Sequence, residues 1–150
     1  MAALAVAAAA ALRPGGAAAV IGDPDEAGRA ATVLERAGLL RHCEHAVAPR
    51  SRGGKPSRLV VLRAKGEHPA DSAYEYLWQP QKRPIEDSVQ PRWPPGVAAR
   101  LVAEYSAGSD LVVDPFAWAG CVGVAARGAG RTFFGAECDE AAYKHVTLQL

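Results

Sequence analysis

The stretch from Asp110 to Glu137, DLVVDPFAWAGCVGVAARGAGRTFFGAE, constrains this chain more than any other segment. Leu111, Val112 and Val113 form a continuous apolar run, the pattern of a buried strand, and Asp114 stands at its carboxyl end. A glycine-bearing turn with Gly120 and Gly123 follows, and the spacing predicts a helix over Val122–Arg127. Thr132–Ala136 reads as a second strand that ends on a carboxylate, Glu137. Strand, glycine turn, helix, strand and terminal acid is the order of a nucleoside-binding βαβ unit. Glycine lets the backbone approach a ligand there, and the later acid can accept hydrogen bonds from a ribose diol. Glu137 lies 17 residues beyond Gly120, close to the roughly 20 that such units use.

The 150 residues suffice for one domain with a real core. With 49% apolar and 22% charged residues the chain reads as globular rather than disordered, although much of the apolar fraction is weakly hydrophobic alanine. A net charge of +1 supplies no global field for nucleic acid, so any such affinity must come from a local patch. Cys43, Cys121 and Cys138 are odd in number and lack CxxC spacing, which points to a reduced compartment, nucleus or cytoplasm, rather than a disulfide framework. The opening MAALAVAAAAAL has no basic n-region and reads as a domain helix, not a targeting peptide. No apolar run approaches membrane-spanning length, and a soluble protein is expected.

Ala2–Leu12 is rich in the best helix former and stops at Arg13-Pro14-Gly15-Gly16. Ala17–Ile21 reads as a short buried strand. Asp23 or Asp25 caps a helix over Glu26–Ala37, with Val33 and Leu34 among its apolar positions and Gly38 as its stop. His42–Ala48 and Leu59–Ala64 are expected to pair as an antiparallel hairpin across the basic loop Pro49–Arg58. Residues 66–93 mix prolines, charges and aromatics without period, an irregular linker or insertion within a single domain spanning 1–150. Helix returns at Gly96–Ser106, with Val97, Leu101 and Val102 at helical spacing. Helices mixed with short apolar strands imply a three-layer α/β fold.

Three segments together resemble the amino-group DNA methyltransferases, which methylate the exocyclic nitrogen of adenine or cytosine. In permuted members the cofactor-binding half follows the catalytic half. Counterparts of the family's motifs are the turn Leu12-Arg13-Pro14-Gly15-Gly16, the helix to Gly38 and the hairpin to Lys65. Pro94–Ser106, Asp114-Pro115-Phe116 and Gly135-Ala136-Glu137 with Tyr143 downstream complete the match. The resemblance covers most of the chain and is specific over Ser109–Tyr143.

That resemblance implies a Rossmann-like, S-adenosylmethionine-dependent methyltransferase sheet, with S-adenosylmethionine as cofactor and DNA as partner. Asp114, Phe116, Ala117, Trp118 and Gly120 would surround the amino-acid portion and adenosine, and Glu137 would accept hydrogen bonds from the ribose hydroxyls. The chemistry implied is direct attack of a base amine on an electrophilic methyl, which needs positioning and charge stabilisation rather than a covalent enzyme intermediate. The base would have to leave the helical stack to reach the pocket.

Two departures stand in the turn. Trp118 replaces a family glycine, where an indole can fill volume meant for the ligand, and Cys121 replaces the threonine that often follows the second glycine. A larger departure is an absence. The family's catalytic tetrapeptide is Asp, Asn or Ser followed by two prolines and an aromatic, and no catalytic residue can be assigned here. The one Pro-Pro pair, Pro94-Pro95, lies between Trp93 and Gly96, and Asp23-Pro24-Asp25 lacks the second proline and the aromatic. The family's catalytic strand lies between the counterparts of Leu111–Val113 and Ala17–Ile21, so the resemblance implies an incomplete sheet. Those two strands pair directly, or another chain fills the gap, or the domain is truncated; truncation is the expectation.

Plainer readings accompany each candidate. An Asp-Pro after a strand can simply cap a turn, Trp118 can be a core or pocket plug, and Tyr143 is expected to pack its ring under the sheet. Arg50, Arg52, Lys55 and Arg58 can meet DNA phosphates, but four cations in nine residues are also an ordinary solvated hairpin tip, the reading preferred. Tyr74, Tyr76 and Trp78 beside Lys82 and Arg83 can stack on unpaired bases or simply pack on the domain. His42, Cys43 and His45 do not share a strand face, and no metal site is expected. Two functions remain: an enzyme, the DNA amine methyltransferase or its carboxy-terminal portion, and a non-catalytic methyltransferase-fold subunit that binds a partner or a nucleoside cofactor. A stand-alone dinucleotide-binding domain is disfavoured, because the turn after Asp114 lacks the regular glycine triplet.

Overall fold

The computed structural model describes residues 2–47, 55–67, 77–78 and 95–149. The chain divides into two compact units, Met1–Gln79 and Pro80–Leu150, and the division falls inside the segment 66–93.

In the first unit, α1 (Ala2–Ala11) ends where Pro14 and the two glycines break the helix. β1 (Ala17–Gly22) runs into α2 (Pro24–Arg36), whose start is capped: Asp23 Oδ1 accepts the Asp25 N–H at 3.0 Å, and Pro24 occupies the first turn. Asp25 and Glu26 add negative charge at the helix's positive end. Ala27, Ala31 and Leu34, at spacings of four and three, are the buried stripe of α2. β2 (Leu40–Val47) and β3 (Ser57–Arg63) form the expected antiparallel hairpin, and a two-residue β4 (Leu77–Trp78) adds parallel to β2.

The sheet order is β1-β3-β2-β4, so the antiparallel β3 is central and β1 stands at one edge. Its run Leu59-Val60-Val61-Leu62 is wholly buried, which explains why β3 reads as continuous rather than alternating apolar sequence. Val60 and Leu62 face a core of Ala5, Ala31, Leu34 and Leu39 from the helical side. Alanines dominate the helical surfaces, so the helices can seat closely on the sheet with few side-chain atoms between them. The Arg-Pro-Gly-Gly turn docks on the end of β3: the Gly15 N–H donates to the Lys65 carbonyl at 3.3 Å and the Ala64 N–H to the Gly16 carbonyl at 2.9 Å. Arg63, buried at the same end, donates to the Gly15 carbonyl at 2.9 Å.

In the second unit, α3 (Pro95–Tyr105) packs on α4 (Cys121–Gly128) through a stripe that includes Val97, Ala98 and Val102 on α3 and Ala126 on α4. β5 (Leu111–Asp114) and β6 (Thr132–Gly135) pair in parallel, and α4 makes the crossover between them. α5 (Glu140–Gln149) follows, capped by Asp139, whose Oδ1 accepts the Ala142 N–H at 2.8 Å. Leu111, Val113 and Phe134 leave one face of this small sheet exposed, at 60%, 54% and 63%. A parallel sheet normally has both faces covered.

Every strand and helix anticipated among the described residues is present to within a few residues at its ends. Leu111–Val113 and Ala17–Ile21, read as buried strands, are corrected: neither strand has a buried residue, because β1 and the small β5–β6 sheet each leave a face uncovered. A further correction concerns Tyr143. Tyr143 sits on α5 with its side chain 56% exposed, not under a sheet, because Ala142 and Val146 are the positions of that helix turned inward.

Candidate functional site

Asp114 ends β5 and pairs in register with Gly135 of β6, so the turn leaving one strand and the segment leaving the other begin side by side. Three hydrogen bonds join them. The Ala136 N–H donates to the Asp114 carbonyl at 3.0 Å, the Ala117 N–H to the Ala136 carbonyl at 2.9 Å, and the Trp118 N–H to Glu137 Oε2 at 2.6 Å. Asp114 Oδ1 also accepts the Phe116 N–H at 3.1 Å, the side-chain turn that the plainer reading anticipates. Asp114, Ala117, Trp118, Gly120 and Glu137 are therefore gathered at the adjoining ends of β5 and β6, and Phe116 beside them is 69% exposed.

The turn depends on unusual backbone. Gly120 has φ +73° and caps α4, and a Cβ there would lie 3.2 Å from both methyl carbons of Val146. Glycine is the residue that holds this conformation without strain. Trp118 has φ +43°, a left-handed conformation that carries a cost for a residue with a bulky side chain. Gly135 serves a different purpose: a Cβ there would lie 2.7 Å from Phe133 Cζ and 3.3 Å from Ala117 Cβ. Its missing side chain lets the Phe133 ring lie across the strand end. Phe133 was not singled out from sequence, because alternation alone does not say which of Phe133 and Phe134 turns toward the turn.

The pKa values of the two carboxylates are shifted in opposite directions. Burial pushes the Asp114 pKa up, the Phe116 N–H pulls it back, and the charge of Glu137 adds to the rise. Glu137 is held below the usual carboxylate range, chiefly by the Asp139 N–H, against a smaller opposing effect of burial, with the Trp118 and Cys138 N–H groups and the Cys138 thiol also lowering it. Its Oε1 accepts from Cys138 at 2.7 Å and from Asp139 at 2.8 Å. A carboxylate offers about four lone-pair sites, and three backbone N–H groups of this chain donate to Glu137. Two carboxylate acceptors (Asp114, Glu137) and three aromatic residues (Phe116, Trp118, Phe133) thus stand at or beside one strand end, a set of residue types that fits a nucleoside cofactor.

Elsewhere the basic loop is only partly described. Arg50 and Arg52 lie outside the described residues, as do Tyr74, Tyr76, Lys82 and Arg83 and the side chain of Trp78. Lys55 is exposed. Arg58 is taken up by Glu44, whose Oε2 accepts its Nη2 at 2.5 Å and its Nε at 3.0 Å. Cavities of about 200 Å³ beside Arg41, Arg63 and Lys65 and about 330 Å³ beside Pro24, His45 and Pro56 open in the first unit. Neither is lined by the strand-end residues just described. Among the described residues no three His, Cys, Asp or Glu side chains converge as metal ligands. No helix among them is long and apolar enough to cross a membrane.

No protein-family model matches the chain, and no curated protein matches it in sequence. Solved structures do match its fold. The M1.HpyAVI–SAM complex superposes with a TM-score of 0.80 at 15% identity, covering 99% of this chain and 80% of that one. TTHA0409 of Thermus thermophilus, complexed with S-adenosyl-L-methionine, gives 0.75 at 17% identity over 97% of this chain and 73% of that one. The PvuII DNA methyltransferase, cytosine-N4-specific, gives 0.75 at 14% identity over 93% and 65%. The chain has the α/β fold of these proteins; identities this low carry the fold alone.

Proposed function

We propose that a chain with this fold binds S-adenosylmethionine at the carboxyl ends of β5 and β6 and serves methylation of the exocyclic amine of adenine or cytosine in DNA. The observation that carries the reading is the register of Asp114 with Gly135, which brings two carboxylates to one strand end, with Glu137 bonded to the backbone of the facing turn. In this reading Glu137 receives the ribose hydroxyls, Asp114 takes the polar end of the ligand, and Phe116, Ala117, Trp118 and Gly120 form the wall. When bound, the cofactor supplies an electrophilic methyl. The residues of this chain hold and orient it and keep water away, which is where most of the barrier to such a transfer is lowered. Lys55, with Arg50 and Arg52, supplies phosphate contacts, and the setting is a reducing compartment, nucleus or cytoplasm.

The base-binding tetrapeptide is missing from the 150 residues, so methyl transfer by this chain alone is not expected. A second reading, a non-catalytic subunit completed by a partner chain, is favoured by one feature. Among the described residues β1 and β5 each have an unpaired edge, and Leu111, Val113 and Phe134 leave an apolar face open on a parallel sheet. Both readings share the cofactor. Titration calorimetry with S-adenosylmethionine tests it: saturable binding is expected, weakened about tenfold or more by Glu137→Gln, and equal affinity of the two proteins removes Glu137 from the site. A labelled-methyl assay on DNA separates the readings, since turnover by the chain alone makes it a complete enzyme.

A further inference from the structure

Most of the acceptor sites on Glu137 are already taken by the chain. Trp118, Cys138 and Asp139 each donate a backbone N–H, at 2.6, 2.7 and 2.8 Å. A ribose diol brings two more donors. A carboxylate with about four lone-pair sites cannot take both without giving up one of the bonds it holds. The bonds are not equivalent. Those from Cys138 and Asp139 come from the residues next to Glu137 in sequence and close a local loop after β6. The bond from Trp118 crosses to the turn after β5, and it ends on a residue whose φ of +43° is strained for an indole-bearing side chain.

We propose that the Trp118 N–H to Glu137 Oε2 bond is a latch, which a ribose hydroxyl opens by taking its place on Oε2, so that Trp118 leaves its left-handed conformation as the ligand enters. In the free protein the latch closes the Trp118 end of the turn against the end of β6, while the Ala117 N–H to the Ala136 carbonyl keeps the start of the turn in place. Binding and the relaxation of Trp118 are then one event, and the strain released on opening offsets part of the lost hydrogen bond. This rests on the cofactor reading above and adds to it the order of events and the residue that moves. A glycine at this place holds a positive φ without strain. The substitution to tryptophan thus turns a static turn into one with two states.

Amide hydrogen exchange and chemical shifts of the isotope-labelled chain test it in two arms. Without ligand, the Trp118 amide is expected to be protected and shifted downfield, and Glu137→Gln is expected to speed its exchange by at least about tenfold. Unchanged exchange overturns the latch. With saturating S-adenosylmethionine, the Trp118 amide is expected to move upfield and lose its protection, while the Cys138 and Asp139 amides keep theirs. Calorimetric binding with Trp118 still protected overturns the latch and leaves the cofactor reading standing. No heat and no shift at Asp114, Phe116 or Glu137 overturns the cofactor reading, and the exchange with it.

Discussion

Glu44 on β2 accepts Arg58 from the neighbouring β3, Nη2 at 2.5 Å and Nε at 3.0 Å, and also accepts Arg41 from its own strand. Arg41 in turn donates to both oxygens of Glu35 on α2, at 2.7 and 3.0 Å. A chain of alternating charge therefore ties the end of α2 to both strands of the hairpin. Arg58 also reaches the Pro24 carbonyl at 3.4 Å, in space left by the missing side chain of Gly28.

Because Arg58 is already paired, Arg58→Ala is expected to lower stability rather than DNA affinity. The loss should be about 0.5–1 kcal/mol, since the pair is about a third exposed. Urea unfolding reads the stability, and duplex binding across a salt series reads the affinity. Lys55→Ala is expected to do the reverse, leaving the midpoint unchanged and reducing the salt slope by about one. An Arg58 variant with intact stability and a shallower slope would reverse the assignment.

Acidification should weaken the fold through three glutamates. Arg41 holds the pKa of Glu35 down. Glu44 is pushed up by burial but held down, on balance, by Arg58 and Arg41. Glu137 is lowered chiefly by the Asp139 N–H. A carboxylate lowered on folding contributes stability that is whole above its unfolded pKa of about 4.3 and disappears as the pH falls through the lowered value. Asp114 runs the other way: its raised pKa is a cost at neutral pH that acid removes. The urea midpoint is therefore expected to fall steeply only below about pH 4.3, and to fall less in Arg41→Ala. A midpoint that declines already from neutral pH would show that Asp114 does not oppose the others.

Gly15→Ala is expected to be among the most damaging single changes in the first unit. Gly15 has φ +72°, and a Cβ there would lie 2.0 Å from the Glu67 carbonyl oxygen. Strain in the left-handed region costs on the order of 1–2 kcal/mol, and the clash forces the turn off the end of β3, where Arg63 donates to the Gly15 carbonyl. Thermal unfolding checks it, and a midpoint within a degree or two of wild type would contradict the packing described. Gly22→Ala, with nothing within 4 Å of the added carbon, is the control.

Much of this architecture is legible in the residues themselves. Apolar runs located β1, β2, β3, β5 and β6, and the caps Asp23 and Gly38 located α2 to within two residues. The lysine-free alanine run and the Pro-Gly-Gly breaker did the same for α1. Other features were not legible, for physical reasons. β4 is two residues long and exists only through pairing with Ala46 and Val47, a long-range contact that leaves no local signature. α5 is weakly amphipathic, so the period that marks a helix is faint in it. The register shift between Arg41 and Cys43 is also not legible, because a bulge is a backbone event that simple alternation does not reveal. At the site, Asp114 and Glu137 were placed by spacing and by the family resemblance, whereas the three N–H donors on Glu137 come from backbone geometry.

Asp114→Asn is expected to separate stability from binding. Asparagine keeps an acceptor for the Phe116 N–H at 3.1 Å and removes a buried negative charge that faces Glu137. The variant should unfold at higher urea concentration at neutral pH and bind S-adenosylmethionine about tenfold or more weakly. Lower stability together with unchanged affinity would make Asp114 a turn cap and nothing else.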